Sequence, residues 1–288
     1  MAAGALHGVE PDAVRSSDRD RDGDVFSAAP RGVADAVGRS LAGGRPVVVA
    51  LALWAVAFLT LGATIIGLGL LLTQVLLPTG PDQVDVSWSA WFVAQRTQVL
   101  NDATWVGSIL GSTEVILAVA GAIGVGLAIA RRWEQFVFLL YAMTLEFGVF
   151  LLTTLIVNRQ RPGASQLDAA PPTSSYPSGH TAAACTLYIG LAIVLASFIR
   201  GTAGRAVVWA LAILVPAAVG LSRVYRGMHY PSDVLAGALL AAGALILALL
   251  AIRSLSAARR ERARREQAAE RDGMDSATAT SLEPEVQQ

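Results

Sequence analysis

Three short stretches of this 288-residue chain carry side chains that could act on a phosphoryl group. They are Asn158-Arg159-Gln160-Arg161-Pro162, Pro177-Ser178-Gly179-His180, and Ser222-Arg223 followed by His229 and Asp233. Arg159, Arg161 and Arg223 can form charge-assisted, often bidentate hydrogen bonds to phosphate oxygens. Ser178 can donate its hydroxyl. Gly179 leaves the backbone uncovered where a helix starting near His180 would point unsatisfied amides at an anion. Pro231 suits a first helical turn. It thereby holds Asp233 where it can reach back toward His229, as a nucleophile with its orienting carboxylate. His180 is then free to protonate a leaving alkoxide. The remaining histidine, His7, lies in a polar N-terminal stretch with no such company.

The elements that must position these residues are membrane helices. The chain is 54% hydrophobic and only 15% charged, with mean hydropathy +0.53. A soluble globule could not hide that much apolar surface, whereas lipid accepts it. Apolar runs predict six spans: Val47 to Leu77, Trp105 to Ala130, Phe136 to Val157, Thr181 to Ile199, Ala206 to Leu221, and Val234 to Ile252. Between the first two, Asp82 to Asn101 carries Trp88, Trp91, Phe92, Val99 and Leu100 near helical spacing, as expected of a short helix lying along the interface. The expected organisation is a disordered segment over 1–45, a six-helix membrane domain over 46–252 and a charged tail over 253–288.

All 22 basic residues are arginine. With the N-terminus inside, 17 of them fall in inner segments; Arg96, Arg159, Arg161, Arg223 and Arg226 fall outside. This bias puts both chain ends in the cytoplasm and all three chemical stretches on the extracytoplasmic side. Zero formal net charge points to no nucleic-acid partner. Cys185 is the single cysteine, so neither an intrachain disulfide nor a cysteine metal cluster can form.

The segments RQRP, PSGH and SRVYRGMHYPSD resemble the three signature motifs of the type 2 phosphatidic acid phosphatase (PAP2) superfamily, over roughly 105 to 233. That superfamily includes bacterial lipid phosphate phosphatases, undecaprenyl pyrophosphate phosphatases and vanadium haloperoxidases. The resemblance implies an all-α, six-transmembrane bundle in a bacterial cell membrane. It implies His229 as nucleophile forming a phosphohistidine, Asp233 as its partner, and His180 as general acid that later activates water. It also implies Arg161, Ser178, Gly179 and Arg223 as phosphate holders, with Arg159 as an extra contact. One position departs from the pattern: the family's first motif opens with lysine seven residues before the arginine of Arg-Pro, and here Thr154 stands there. Thr154, a further candidate phosphate contact, offers a hydrogen bond without charge, so either Arg159 supplies the missing cation, or the substrate preference has shifted, or the enzyme is weak.

These residues predict in-line phosphoryl transfer with no metal and no cofactor, at the depth where lipid headgroups sit. The substrate classes expected are a polyprenyl pyrophosphate such as the undecaprenyl carrier, phosphatidic acid, or phosphatidylglycerophosphate. Two other classes use the same features: a lipid-phosphate-binding homologue without turnover, and a polyprenyl lipid transporter. Glu114 and Glu146 fall inside predicted spans and are each expected to face the bundle interior or a polar cavity. Oligomeric state is left open by these patterns.

Overall fold

The computed structural model describes residues 25–76, 82–163, 165–170 and 172–281, with side chains described as far as 274. His7, the Ser16–Asp24 run, the Pro78–Pro81 stop and residues 282–288 lie outside them. Every regular element among the described residues is helical: α1 Val33–Ser40, α2 Pro46–Leu70 with a π-helical extension Leu71–Leu76, α3 Asp82–Ala94, α4 Gln98–Leu110, α5 Thr113–Ile129, α6 Trp133–Val157, α7 Gly179–Ala196, α8 Thr202–Tyr225 and α9 Pro231–Ser281. Five helical stretches are long and apolar enough to cross a bilayer, or six if α4 and α5, bent by 46°, count as one span. Ile129 and Leu155 are exposed. Such faces would cost free energy in water but not in hydrocarbon, where the helical backbone already satisfies its own polar groups.

Four sequence expectations are corrected. The second span is not one helix over Trp105–Ala130. Gly111 ends α4 and Ser112 caps α5, its side chain accepting from the Val115 amide. A Ser cap offers the backbone an alternative to continuing the helix, so the chain restarts at a new angle. The fifth span is longer than Ala206–Leu221. Pro216 is absorbed within α8, which runs on to Tyr225 and so carries Arg223 in its last turn. The interfacial helix stops at Ala94, and Thr97 caps the next helix by accepting from the Leu100 amide. Glu114 does not face the interior; it stands exposed in the first turn of α5, where the helix N-terminus favours a carboxylate. Glu146 is buried on α6.

Contacts divide the chain into two compact units, 50–251 and a smaller one made of residues up to 49 together with those from 252 onward. In the smaller unit, the disorder expected over 1–45 does not hold for 25–45. Ala28, Ala34 and Ala257 form a small core. Arg253 Nε donates to the Val25 carbonyl at 2.8 Å and Arg262 Nε to the Ala42 carbonyl at 2.6 Å. Small side chains allow close approach, and the arginine forks satisfy carbonyls that would otherwise lack partners.

In the larger unit α7 packs most extensively on α8, α8 also on α4, and α6 on α7. Ile116, Ala184, Leu187 and Val219 form a buried cluster joining α5, α7 and α8. On α3 the usual polarity is reversed: Trp88 and Trp91 are exposed, whereas Asp85 and Ser89, one helical turn apart, are buried. A helix whose polar side faces the protein is what a lipid-facing surface requires, and it delivers a carboxylate to the interior.

Candidate active site

The segment between α6 and α7 brings two of the three stretches together. Asn158 ends α6 in the left-handed conformation, which asparagine tolerates better than other non-glycine residues. The two ends of the segment then pair. The Ser175 amide donates to the Arg159 carbonyl at 2.8 Å, the Arg159 amide to Ser174 Oγ at 2.9 Å, and Ser175 Oγ to the Gln160 carbonyl at 3.0 Å. Tyr176 is buried, and its hydroxyl donates to the Ile65 carbonyl on α2 at 3.1 Å. Arg161 and Ser178 are thereby held on a braced loop.

The third stretch follows the end of α8. Gly227, at φ 73°, turns the chain so that the Met228 amide returns to the Arg223 carbonyl at 3.0 Å. Arg161 Nη1 donates to the Met228 carbonyl at 2.9 Å and lies 3.4 Å from His229 Nε2. His229 Nδ1 lies 2.7 Å from the Ser175 carbonyl. A carbonyl can only accept, so Nδ1 carries the proton and Nε2 presents its lone pair beside Arg161. Asp233, expected as the orienting carboxylate, has Oδ2 3.8 Å from Nδ1, and the Ser175 carbonyl stands closer, at 2.7 Å. Asp233 instead accepts from the Tyr230 amide at 2.9 Å, capping the start of α9. Burial pulls the His229 imidazole below its ordinary range, with Asp233 opposing, which keeps the ring neutral.

Arg159, expected on the phosphate, is committed elsewhere. Its Nη1 donates to Asp233 Oδ1 at 2.5 Å and to Ser232 Oγ at 2.7 Å, and its Nη2 to Asp85 Oδ2 at 2.7 Å. The guanidinium also lies 4.2 Å over the Tyr230 ring. Asp85 accepts in addition from the Ser232 amide and hydroxyl. Two buried carboxylates need a buried cation between them, which is the physical reason Arg159 is not free for an anion from outside.

A second group lies around Asp168. Arg223 Nη1 donates to Asp168 Oδ2 at 2.7 Å and to Ser108 Oγ; Ser108 Oγ donates in turn to Asp168 Oδ2 at 3.1 Å. Arg226 grips the same carboxylate through Nε and Nη2, and reaches the Asn101 and Leu167 carbonyls. Burial would raise the Asp168 carboxyl, but Arg226 and Arg223 outweigh it and hold the group below the usual carboxylate range. Arg96 clamps the same loop, donating to the Ser165 carbonyl and hydroxyl and to the Tyr225 carbonyl.

Ser178 is fully buried, its amide donating to the Asp233 carbonyl at 2.9 Å and its hydroxyl accepting from Thr181 Oγ1 at 3.0 Å. Gly179 has a role beyond uncovering backbone: a Cβ there would lie 2.7 Å from the Phe150 ring. His180 opens α7, within electrostatic reach of Arg223, His229, Asp168 and Arg161. Thr154 does not supply the site: its hydroxyl donates to the Leu151 carbonyl of its own helix at 2.8 Å. The structure therefore gathers His229, Asp233, Arg161, Arg223, Ser178, Gly179 and His180 into one region; Arg159 borders it, bound to Asp233 with its terminal nitrogens spent on protein groups, and the Thr154 hydroxyl is spent within its own helix. Sequence reasoning missed Asp85, Ser108, Asp168, Ser175 and Arg226. Two had a signal: Asp85 is a carboxylate in an aromatic, apolar stretch, and Asp168 is the only acidic residue between Glu146 and Asp233.

Two donors in this region are left unused. Arg161 Nε and Arg223 Nε are buried and have no hydrogen-bond partner. Next to His180 opens an apolar cavity of about 680 Å³ between α5, α6 and α7, reaching down to Phe136, with Glu146 on its wall. Among the described residues no group of three or more His, Cys, Asp or Glu is arranged to hold a metal ion.

Comparison with known proteins agrees in kind. The model of the PAP2 superfamily matches residues 135–256. Phosphatidylglycerophosphatase B of Bacillus subtilis is 28% identical over 174 residues, covering 58% of this chain and 83% of that protein. Decaprenylphosphoryl-5-phosphoribose phosphatase of Mycobacterium tuberculosis is 31% identical over 132 residues, 44% of this chain and 65% of that one. The crystal structure of a transmembrane PAP2-type phosphatidylglycerolphosphate phosphatase from Bacillus subtilis superposes with TM-score 0.55 at 24% identity, covering 69% of this chain and 93% of its own, a likeness of fold. These relatives are lipid phosphatases.

Proposed function

We propose that this chain, whose residues 135–256 match the PAP2 superfamily model, acts as a member of that superfamily and removes phosphate from a membrane lipid through a phosphohistidine at His229. The observation that carries the reading is the pair of unpartnered buried donors, Arg161 Nε and Arg223 Nε, in the same region as an imidazole whose unprotonated Nε2 has only a long 3.4 Å contact to Arg161 Nη1. Buried N–H groups are nearly always hydrogen-bonded, and a phosphoryl group would supply the missing acceptors.

In this mechanism His229 Nε2 attacks phosphorus in line, and the Ser175 carbonyl holds the Nδ1 proton as positive charge develops on the ring. Arg161 and Arg223 hold the equatorial oxygens, joined by the amides that open α7 at Gly179 and His180. The phosphorus–oxygen bond to the lipid breaks, and His180 gives its proton to the leaving oxygen. His180 then takes a proton from water, whose oxygen attacks the phosphohistidine and releases inorganic phosphate. Arg159, Asp85 and Asp233 keep the bend that bears His229 in place. Guanidinium and amide groups supply the positive charge of this scheme, so the proposed reaction proceeds without a divalent ion. The apolar cavity beside His180 suits a hydrocarbon tail, and the arginine bias supports a site on the extracytoplasmic side of the cell membrane with both termini inside.

The test is phosphate release by the detergent-solubilised full chain from phosphatidic acid, phosphatidylglycerophosphate and a polyprenyl diphosphate, with and without chelator. Release that survives chelation and is abolished in His229→Ala is expected. Lipid binding without release from any of the three would overturn the reading in favour of a scaffold. Lipid movement across vesicles that persists in H229A would do so in favour of a transporter.

A further inference from the structure

We infer that Asp168 is a specificity-determining residue that biases the site toward phosphomonoesters and against diphosphates, an inference that rests on the phosphatase reading. The first ground is charge. Arg159 is shared between Asp85 and Asp233, and Arg223 and Arg226 share Asp168. Arg161 is left as the site guanidinium without a carboxylate partner among the described residues, and its polar contacts are Met228, His229, Thr173 and Ser174. That arrangement offers one strong anion position. A second phosphate would need a second unspent cation.

The second ground is side. Arg161 and Arg223 act electrostatically on both imidazoles, but the carboxylate acting on His180 is Asp168 and the one acting on His229 is Asp233. The backbone of His180 packs against Gly111 on α4, and Asp168 is held by Ser108, one helical turn earlier on the same helix. Asp168 therefore lies on the His180 side of the phosphoryl position, away from the attacking imidazole. In the proposed reaction that is where the leaving group departs. A monoester releases an alcohol there, taking the His180 proton. A diphosphate, attacked at its terminal phosphorus, releases a lipid monophosphate, whose anionic charge would find the forks of Arg223 and Arg226 already turned onto the Asp168 carboxylate. Withholding those cations from one substrate is a route to selectivity. Asp168 is part-exposed at 22% of its side chain, so it is not sealed in the core.

The experiment uses a polyprenyl monophosphate and the diphosphate of the same polyprenol, so that the tail is constant, with the full chain in mixed micelles. Wild type should show kcat/KM at least about tenfold higher on the monophosphate, and Asp168→Asn should narrow that ratio by about tenfold while Asp168→Glu retains it. A wild type that hydrolyses both equally, or prefers the diphosphate, overturns the inference without any variant having to fold. So does a D168N protein that loses both activities in the same proportion. Absence of phosphate release from either lipid, and from phosphatidic acid, defeats the phosphatase reading instead.

Discussion

Arg159 and Arg161 stand two residues apart in this chain and do different things with the same chemistry, and Arg223 sides with Arg161. Around Arg159, the terminal nitrogens are taken by Asp85, Ser232 and Asp233, and an aromatic ring covers the guanidinium face. Around Arg161 and Arg223, an Nε–H on each is buried and unmet. The difference teaches that a buried cation is not by itself a substrate contact. An arginine whose donors are spent on the protein is scaffold; one with a donor left over marks where a ligand anion belongs.

The strongest way to break this contrast is to remove Arg159. Arg159→Met leaves Asp85 and Asp233 buried without their cation, a loss expected to cost about 3–5 kcal/mol of stability. Thermal denaturation in detergent should show it plainly, and adding Asp85→Asn should recover part of the loss, since the two changes share one interaction. An R159M protein that melts with wild type and merely loses phosphate affinity would move Arg159 into the substrate site.

Arg161→Ala should do the reverse, lowering kcat/KM roughly 100- to 1000-fold while moving the melting temperature little; Arg223→Ala should lower kcat/KM as much but also lower the melting temperature, because it strips Asp168 and Ser108 of a buried partner. Inorganic phosphate or vanadate should raise the melting temperature of the wild type and leave that of both variants unmoved, because only the wild type offers both free donors. Stabilisation of the variants by the anion to the same degree would place the anion elsewhere.

A smaller effect concerns pH. His229 must be neutral to attack, and burial holds it below its ordinary value near 6.5. The neutral form therefore persists to lower pH than for a free imidazole. Once corrected for the substrate's own second ionisation, the acid limb of kcat/KM should lie below about pH 6.5. A limb above that value would indicate that the neighbouring carboxylate governs the ring. The smallest effect is expected at Thr154, whose hydroxyl is spent within its own helix. Thr154→Ala should change the activation free energy by no more than about 0.5 kcal/mol, read as less than about threefold in kcat/KM.

Much of this was legible before any coordinates. Apolar run lengths exposed the membrane helices, because bilayer thickness sets how many residues a crossing needs. The spacing of SRVYRGMHYPSD, together with PSGH and RQRP, marked the residues that converge, because each stretch sits at or beside the end of a helix whose direction the runs define. Helix boundaries were less legible. The break at Gly111-Ser112 and the run of α8 past Pro216 depend on capping and burial, which weigh little in a hydropathy pattern.

What the sequence by itself determined is therefore the solvent, the helices and the stock of chemical groups at their ends. Only the tertiary structure decided how those groups are spent. Arg159 meets Asp85 across 74 residues and Arg223 meets Asp168 across 55, and the His229 proton goes to the Ser175 carbonyl, 54 residues away, instead of to Asp233 four residues on. Local pattern reports which face of a helix is apolar, since that depends on neighbours three and four positions away. The partner of a buried charge depends on which distant segment packs against it, and that is chosen by the whole fold.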